Sequence, residues 1–184
     1  MSTKKYKKID HETMKEIADI VIEKYKEEVE RAKKTKFDKR LRNTKLLLRN
    51  FRELSQHSDS AIYEAAQVQD ESLAEILEMM SGNFSGDNEL YIDSIKKSSA
   101  RTGIIIEHVR EMMMLYESYC DRSQKPEDKR RYRTVNSLYI DETPKNVQQI
   151  AREEAIDERT VYKDVDAACE KLSALIFGVE WLNR

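Results

Sequence analysis

Arg159, Tyr162 and Lys163 stand three and one residues apart, a spacing that puts two cations and a phenol on one face of a helix. Arg and Lys side chains on such a face can reach guanine edges or phosphates, and a tyrosine can touch a phosphate or a thymine methyl. Glu158 and Thr160 flank them; the carboxylate can accept from a cytosine amino group and the hydroxyl can bond a phosphate. This is the chemistry of a helix that reads double-stranded DNA. Asp166 shares the outward face, and its charge and that of Glu158 repel phosphates. The same five residues also suit an ordinary solvated surface.

The elements that must position them are written in residues 143–172, TPKNVQQIAREEAIDERTVYKDVDAACEKL. Thr143 can cap a helix and Pro144 fits its first turn, where a missing N–H costs little. Val147, Ile150 and Ala151 mark the apolar face of that helix. Ala155, Ile156 and Asp157 read as a turn, with Asp157 capping a second helix whose inward residues are Val161, Val165, Ala168 and Leu172. The small Ala151 allows a close crossing, and Ile156 ties the turn to the core. Such a pair presents its second helix to the major groove. Two residues depart from the usual pattern. Ala155 stands where glycine is common, and Glu154 where a leucine often packs. A plain helical hairpin fits the spacing as well.

No other constellation supports chemistry, and the chain reads as a non-enzyme. Cys120 and Cys169 lie far apart and read as two reduced, partly buried thiols. His11, His57 and His108 are scattered without ligand partners, so no metal and no cofactor is expected. Only 4 Gly and 2 Pro in 184 residues leave few turns and favour long helices, an all-α fold. No apolar run approaches the ~20 residues that span a bilayer. MSTKKYKKID has no apolar stretch after its basic residues and does not read as a secretory leader. A cytoplasmic protein is the expectation.

Charge is laid out in blocks beneath a net −2. Residues 31–52 hold ten Lys/Arg against one acid, Asp38, while residues 53–95 hold ten acids and no Lys or Arg. The basic block can track phosphates, pair with the acidic block, or simply be solvated. The acidic block can approach a basic partner such as RNA polymerase. Residues 122–184 carry equal numbers of acids and bases, so that region needs well-placed cations for specific binding. Lys129, Arg130, Arg131 and Arg133 are candidate helpers, Arg131 and Arg133 foremost, as is a second copy of the protein.

Periodicity gives the remaining elements. A helix capped by Asp10 carries Met14, Ile17, Ala18, Val21, Tyr25, Val29 and Ala32 on one face. Another is expected over residues 37–68, with Phe37, Leu41, Thr44, Leu48, Phe51, Ser55, Ser58, Ile62 and Ala65 at heptad spacing. That seam suits core packing or a homodimer through the long helices. A short helix follows over 72–80, a loop at 81–87, and one rod of about 45 Å from residue 90 to 120. Gly103 within the rod allows close packing or a bend. DRSQKPE is the expected linker, with Asp128 to Tyr139 helical beyond it. The expected organisation is therefore a helical bundle or coiled-coil-like domain over 1–121, a linker at 122–127, and a three-helix DNA-binding unit over 128–184. Trp181 in the apolar tail is expected to anchor on that unit.

KFDKRLRNTKLLLRNFREL at 36–54 and LYIDETPKNVQQIAREEAIDERTVYKDVDAACEKLSALIFGVEWL at 138–182 resemble the two ends of the RinA/ArpU-like late transcriptional regulators of Gram-positive prophages. Residues 91–117 are similar more loosely, and ERTVYKDVDAACEKLSALIFG is the most specific segment. The resemblance implies a sigma-factor-like helix-turn-helix protein that regulates phage genes with RNA polymerase. Two other functions remain open on the residues alone. A DNA-packaging subunit like a small terminase also joins such a unit to an oligomerising helical region. A helical adaptor would bind protein only, through the charge blocks or the seam.

Overall fold

The computed structural model describes residues 11–59, 73–81, 88–96 and 99–178. Asp10, Ile62, Ala65, residues 82–87 of the expected loop and Trp181 lie outside them. Among the described residues the fold is all-α, with eight α-helices and no strand. They are α1 (His11–Arg49), α2 (Phe51–Asp59), α3 (Leu73–Met80), α4 (Asn88–Lys96), α5 (Ser99–Arg122), α6 (Pro126–Val135), α7 (Val147–Glu153) and α8 (Glu158–Phe177). A π-helical turn, Asn136–Ile140, continues α6.

α1 runs through the break expected between Ala32 and Phe37. Lys33, Lys34, Thr35 and Lys36 contain neither Gly nor Pro, and nothing there stops the ladder. The interruption comes at Asn50, whose side-chain amide and backbone N–H both donate to the Leu46 carbonyl, at 2.8 and 3.1 Å. The rod expected over 90–120 is also two helices. The Thr102 hydroxyl donates to the Ile95 carbonyl at 3.0 Å, whereas a straight helix separates residues seven apart by about 10 Å. Gly103 is not where the chain departs. A Cβ there would meet only the Ser58 Cβ, at an ordinary 3.9 Å.

The chain divides into two compact units, residues 1–37 and 38–184. In the first, the N-terminal portion of α1 exposes Ile20, Val21, Ile22 and Tyr25. The second has one main core. Leu47, Leu48, Phe51 and Leu54 from the α1–α2 region meet Ile76 and Met80 of α3, Tyr91 and Ile95 of α4, and Ile105, Ile106, Val109 and Tyr116 of α5. Val135, Cys169, Leu172 and Ile176 belong to the same cluster.

That continuity bears on the segment 122–127 and on the heptad seam. The segment 122–127 does not separate one core from another. It is a short turn inside the second unit, and Tyr116 before it packs edge-on against Tyr132 after it, 6.2 Å between ring centres. Of the two readings of the seam, core packing is the one its central residues show. Thr44, Leu48 and Phe51 are buried within the chain, as core packing requires. Both cysteines are buried and unpaired, and burial pushes the Cys169 thiol up to about 12.

Candidate nucleic-acid interface

α7 begins three residues later than Thr143-Pro144 would place it. Asn146 is its cap: the side chain accepts from the Gln149 N–H at 2.9 Å, and the Gln149 side chain accepts from the Asn146 N–H at 2.8 Å. This reciprocal pair satisfies two orphan donors at once, which Thr143 and Pro144 cannot do from their positions. α7 ends at Glu153, and the Ile156 N–H donates back to the Ala151 carbonyl at 2.9 Å. Ala155 takes φ +52°, the left-handed region that disfavours a Cβ. It occupies the position where sequence reasoning noted a missing glycine.

Asp157 caps α8 as its sequence position indicates. Its carboxylate accepts from the Thr160 N–H at 2.9 Å and from the Thr160 hydroxyl at 2.8 Å. Both bonds hold the Asp157 carboxyl below the usual carboxylate range. They also commit the Thr160 hydroxyl to the turn rather than to a phosphate. Ile150, Ala151 and Val161 form a small buried cluster, with Leu138, Val147 and Ile156 packed against it. The two helices are thereby fixed to each other by the residues sequence spacing singled out.

Around the first half of α8 the sides are sharply sorted. Val161, Asp164 and Val165 are buried, while Glu158, Arg159, Tyr162, Lys163 and Asp166 are exposed. Tyr162 is 58% exposed, unusual for a large aromatic ring with core nearby. The structure therefore gathers Glu158, Arg159, Tyr162 and Lys163 on one open surface, as their spacing demands, with Thr160 half-buried at its edge.

Arg131 and Arg133 have other work. Arg133 makes a two-pronged contact with Glu154, Nε to Oε1 and Nη2 to Oε2, both 2.7 Å. It joins α6 to the end of α7, and it explains why Glu154 is tolerated where a leucine is common: the guanidinium meets the carboxylate, and the Arg133 hydrogen bonds hold the Glu154 carboxyl low. Arg131 pairs with Asp128 at 2.8 Å and sits 3.6 Å from Asp164. Arg130 grips the buried Asp164 carboxylate through Nε at 2.6 Å and Nη2 at 3.2 Å, locking α6 onto α8. Arg130 and Arg131 thus tie α6 to α8, while Arg133, itself exposed, ties α6 to the end of α7.

Sequence reasoning missed one neighbour of that face. Lys45, from the basic block, reaches Asp166 on α8 at 2.8 Å. Arg49, one turn on, hydrogen-bonds Tyr139. Arg52 donates to the Leu138 carbonyl and, at 3.1 Å, to the Asp141 carbonyl. Some of the basic block is thus brought beside α8 and the π-helical turn, a pairing that no i,i+3 or i,i+4 spacing reveals. Lys45 offsets the charge of Asp166, one of two acids on that face of α8.

Among the described residues no group of His, Cys, Asp or Glu is arranged to hold a metal ion, and no helix is long and apolar enough to cross a membrane. His57 and His108 bond the carbonyls of Lys96 and Ile176 through Nε2, at 3.1 and 3.0 Å. Compared with models of known families, curated proteins and solved structures, the chain finds no match.

Proposed function

We propose that the chain is a sequence-specific DNA-binding regulator of transcription in which α7, the turn at Ala155 and α8 act as a helix-turn-helix. The observation that carries the reading is the exposed first half of α8: Arg159, Tyr162 and Lys163 open to solvent on a helix whose other side is locked by Val161, Asp164 and Val165. A helix held that rigidly can enter a major groove with its first turns against base edges. Arg159 and Lys163 take guanine edges or phosphates, and Tyr162 a phosphate or thymine methyl. Glu158 takes a cytosine amino group. Thr160 serves by ordering the start of the helix with Asp157. Lys45 and Arg49 supply positive charge near the middle of α8 that residues 122–184 lack on their own.

Regulation of phage or prophage genes, in the cytoplasm and together with RNA polymerase, is what the resemblance of residues 36–54 and 138–182 adds to this reading. The test is to mix the purified protein with fragmented DNA of its source genome, then recover and sequence what binds. Arg159→Glu/Lys163→Glu runs beside it, with circular dichroism reporting its fold. A sharp enriched site, lost in the folded variant, is the expected result. Enrichment unchanged by the variant would move the DNA contact off α8, and no enrichment at moderate salt would favour a protein-only adaptor or a regulator that binds DNA only with polymerase; either overturns the reading.

A further inference from the structure

The bases that border α7 and α8 differ in how firmly they are held. Arg130 grips Asp164 with two nitrogens, and the Asp164 side chain is only 4% exposed. Arg133 makes two bonds of 2.7 Å to the half-buried Glu154. Two-pronged pairs of this kind are committed to the fold. Lys45 is held differently. Its ammonium meets one Asp166 oxygen at 2.8 Å, and the Asp166 side chain is 62% exposed. A pair so open to water contributes little and exchanges readily.

Arg49 lies one turn beyond Lys45 on α1 and hydrogen-bonds Tyr139. Burial raises the Cys169 thiol, and Lys45 and Arg49 both pull against it, so both charges stand over the same stretch of α8. On α8 itself, Asp166 follows Arg159 by seven residues on the same exposed face. Seven residues are about 10 Å of helix, and the major groove is about 8.5 Å deep. A helix that enters with its first turn against the bases therefore carries Asp166 at the rim of the groove, where the phosphates run. The carboxylate there meets like charge, and the ammonium beside it meets its opposite.

We propose that Asp166 holds the place of a backbone phosphate on Lys45 until DNA binds, and that docking exchanges the carboxylate for a phosphate oxygen, with Arg49 taking a neighbouring phosphate. This rests on the reading of α8 as the helix that enters the groove. Phosphate contacts carry no sequence information. Asp166 thereby lowers affinity for every sequence alike, and discrimination is left to Arg159, Tyr162 and Lys163.

Fluorescence anisotropy of the full chain with a labelled duplex of scrambled sequence, over a series of potassium chloride concentrations, tests the exchange without the natural site. Asp166→Asn should tighten binding about two- to fivefold, the worth of an exposed ion pair. Lys45→Gln/Arg49→Gln should weaken it and lower the slope of log affinity against log salt by about 1.8, the share of two phosphates. Asp166→Asn is then made in a Lys45→Gln chain. A carboxylate that acts by occupying Lys45 gives no tightening there. Tightening that persists in full shows simple repulsion of phosphates and overturns the proposal, as does a salt slope unchanged by Lys45→Gln/Arg49→Gln. Circular dichroism melts that match the wild type keep these outcomes about binding. Failure of the underlying reading looks different. A wild type that binds no duplex at low salt removes both. A natural site lost in Arg159→Glu/Lys163→Glu, with the Lys45 and Asp166 variants unchanged, keeps α8 and removes the exchange.

Discussion

The two halves of α8 are one continuous helix with opposite surroundings. In the first, Val161, Asp164 and Val165 face inward and five charged or aromatic side chains face solvent. In the second, Ala168, Cys169, Leu172, Ser173, Ala174, Ile176 and Phe177 are all buried, and Glu170 and Lys171 are its exposed members. A helix apolar most of the way round is core, and one apolar on a single stripe is surface. α8 is both in turn. The buried half fixes the axis, so the exposed half can vary its side chains without endangering the fold. Core and open surface are therefore separable along this one element.

Five substitutions and a shift to acid probe that separation, from the largest effect down. Leu172→Ala in the buried half should cost about 2–5 kcal/mol in urea denaturation, the usual range for a filled core site, while Lys163→Ala should stay within about 0.5 kcal/mol. Equal losses would erase the distinction between the halves. Next, Asp164→Ala should cost about 2 kcal/mol, less than a fully buried pair because the Arg130 side chain keeps 22% of its exposure. That loss would show that the inner side of the first half already belongs to the scaffold.

Acid should act more mildly. The Arg133 hydrogen bonds hold Glu154 below its ordinary 4.5, and the Ser123 hydroxyl, then Arg131, hold Asp128 below its ordinary 3.8. A carboxyl depressed in the folded state contributes fully above its ordinary pKa, and that contribution is lost as pH falls through the folded value. The melting temperature should therefore be level near neutrality and fall once pH drops below the ordinary values. Arg133→Gln should remove Glu154's share of that fall, and an unchanged acid profile in the variant would assign the loss elsewhere. Smallest of all, Ala155→Gly should raise stability by about 0.5 kcal/mol, because the φ of +52° costs an L-residue roughly 1–2 kcal/mol and glycine's chain entropy takes back some of the relief.

What the sequence disclosed follows the range of the interactions involved. The inward residues of α8, the Asp157 cap and the strained place at Ala155 are local, set by spacing and by one or two neighbours, and all are where the chain's periodicity put them. The start of α7 was misplaced by three residues because two local signals competed, Thr143-Pro144 against Asn146 with Gln149, and the reciprocal bonds of the latter satisfy more donors. Long-range partners left no trace. Arg133 and Glu154 are 21 residues apart, Arg130 and Asp164 34, and Lys45 reaches Asp166 from another helix. Charge alone made Arg131 and Arg133 candidates for phosphate. Only the fold shows that carboxylates already occupy them. The polar stretch at 122–127 resembled a linker for a similar reason: composition marks a turn but cannot tell whether both sides bury their aromatics together.

Tyr116, before that turn, and Tyr132, after it, pack against each other, and the consequence concerns inheritance. A helix-turn-helix end that shared no core with the rest of its chain could be exchanged between genes like a cassette. Here recombination at residues 122–127 would separate side chains that were selected together, leaving each parent's α5 against a stranger's α6 and α8. Variation should therefore accumulate by replacement at the open positions of α8, while α5 through α8 descend as a block.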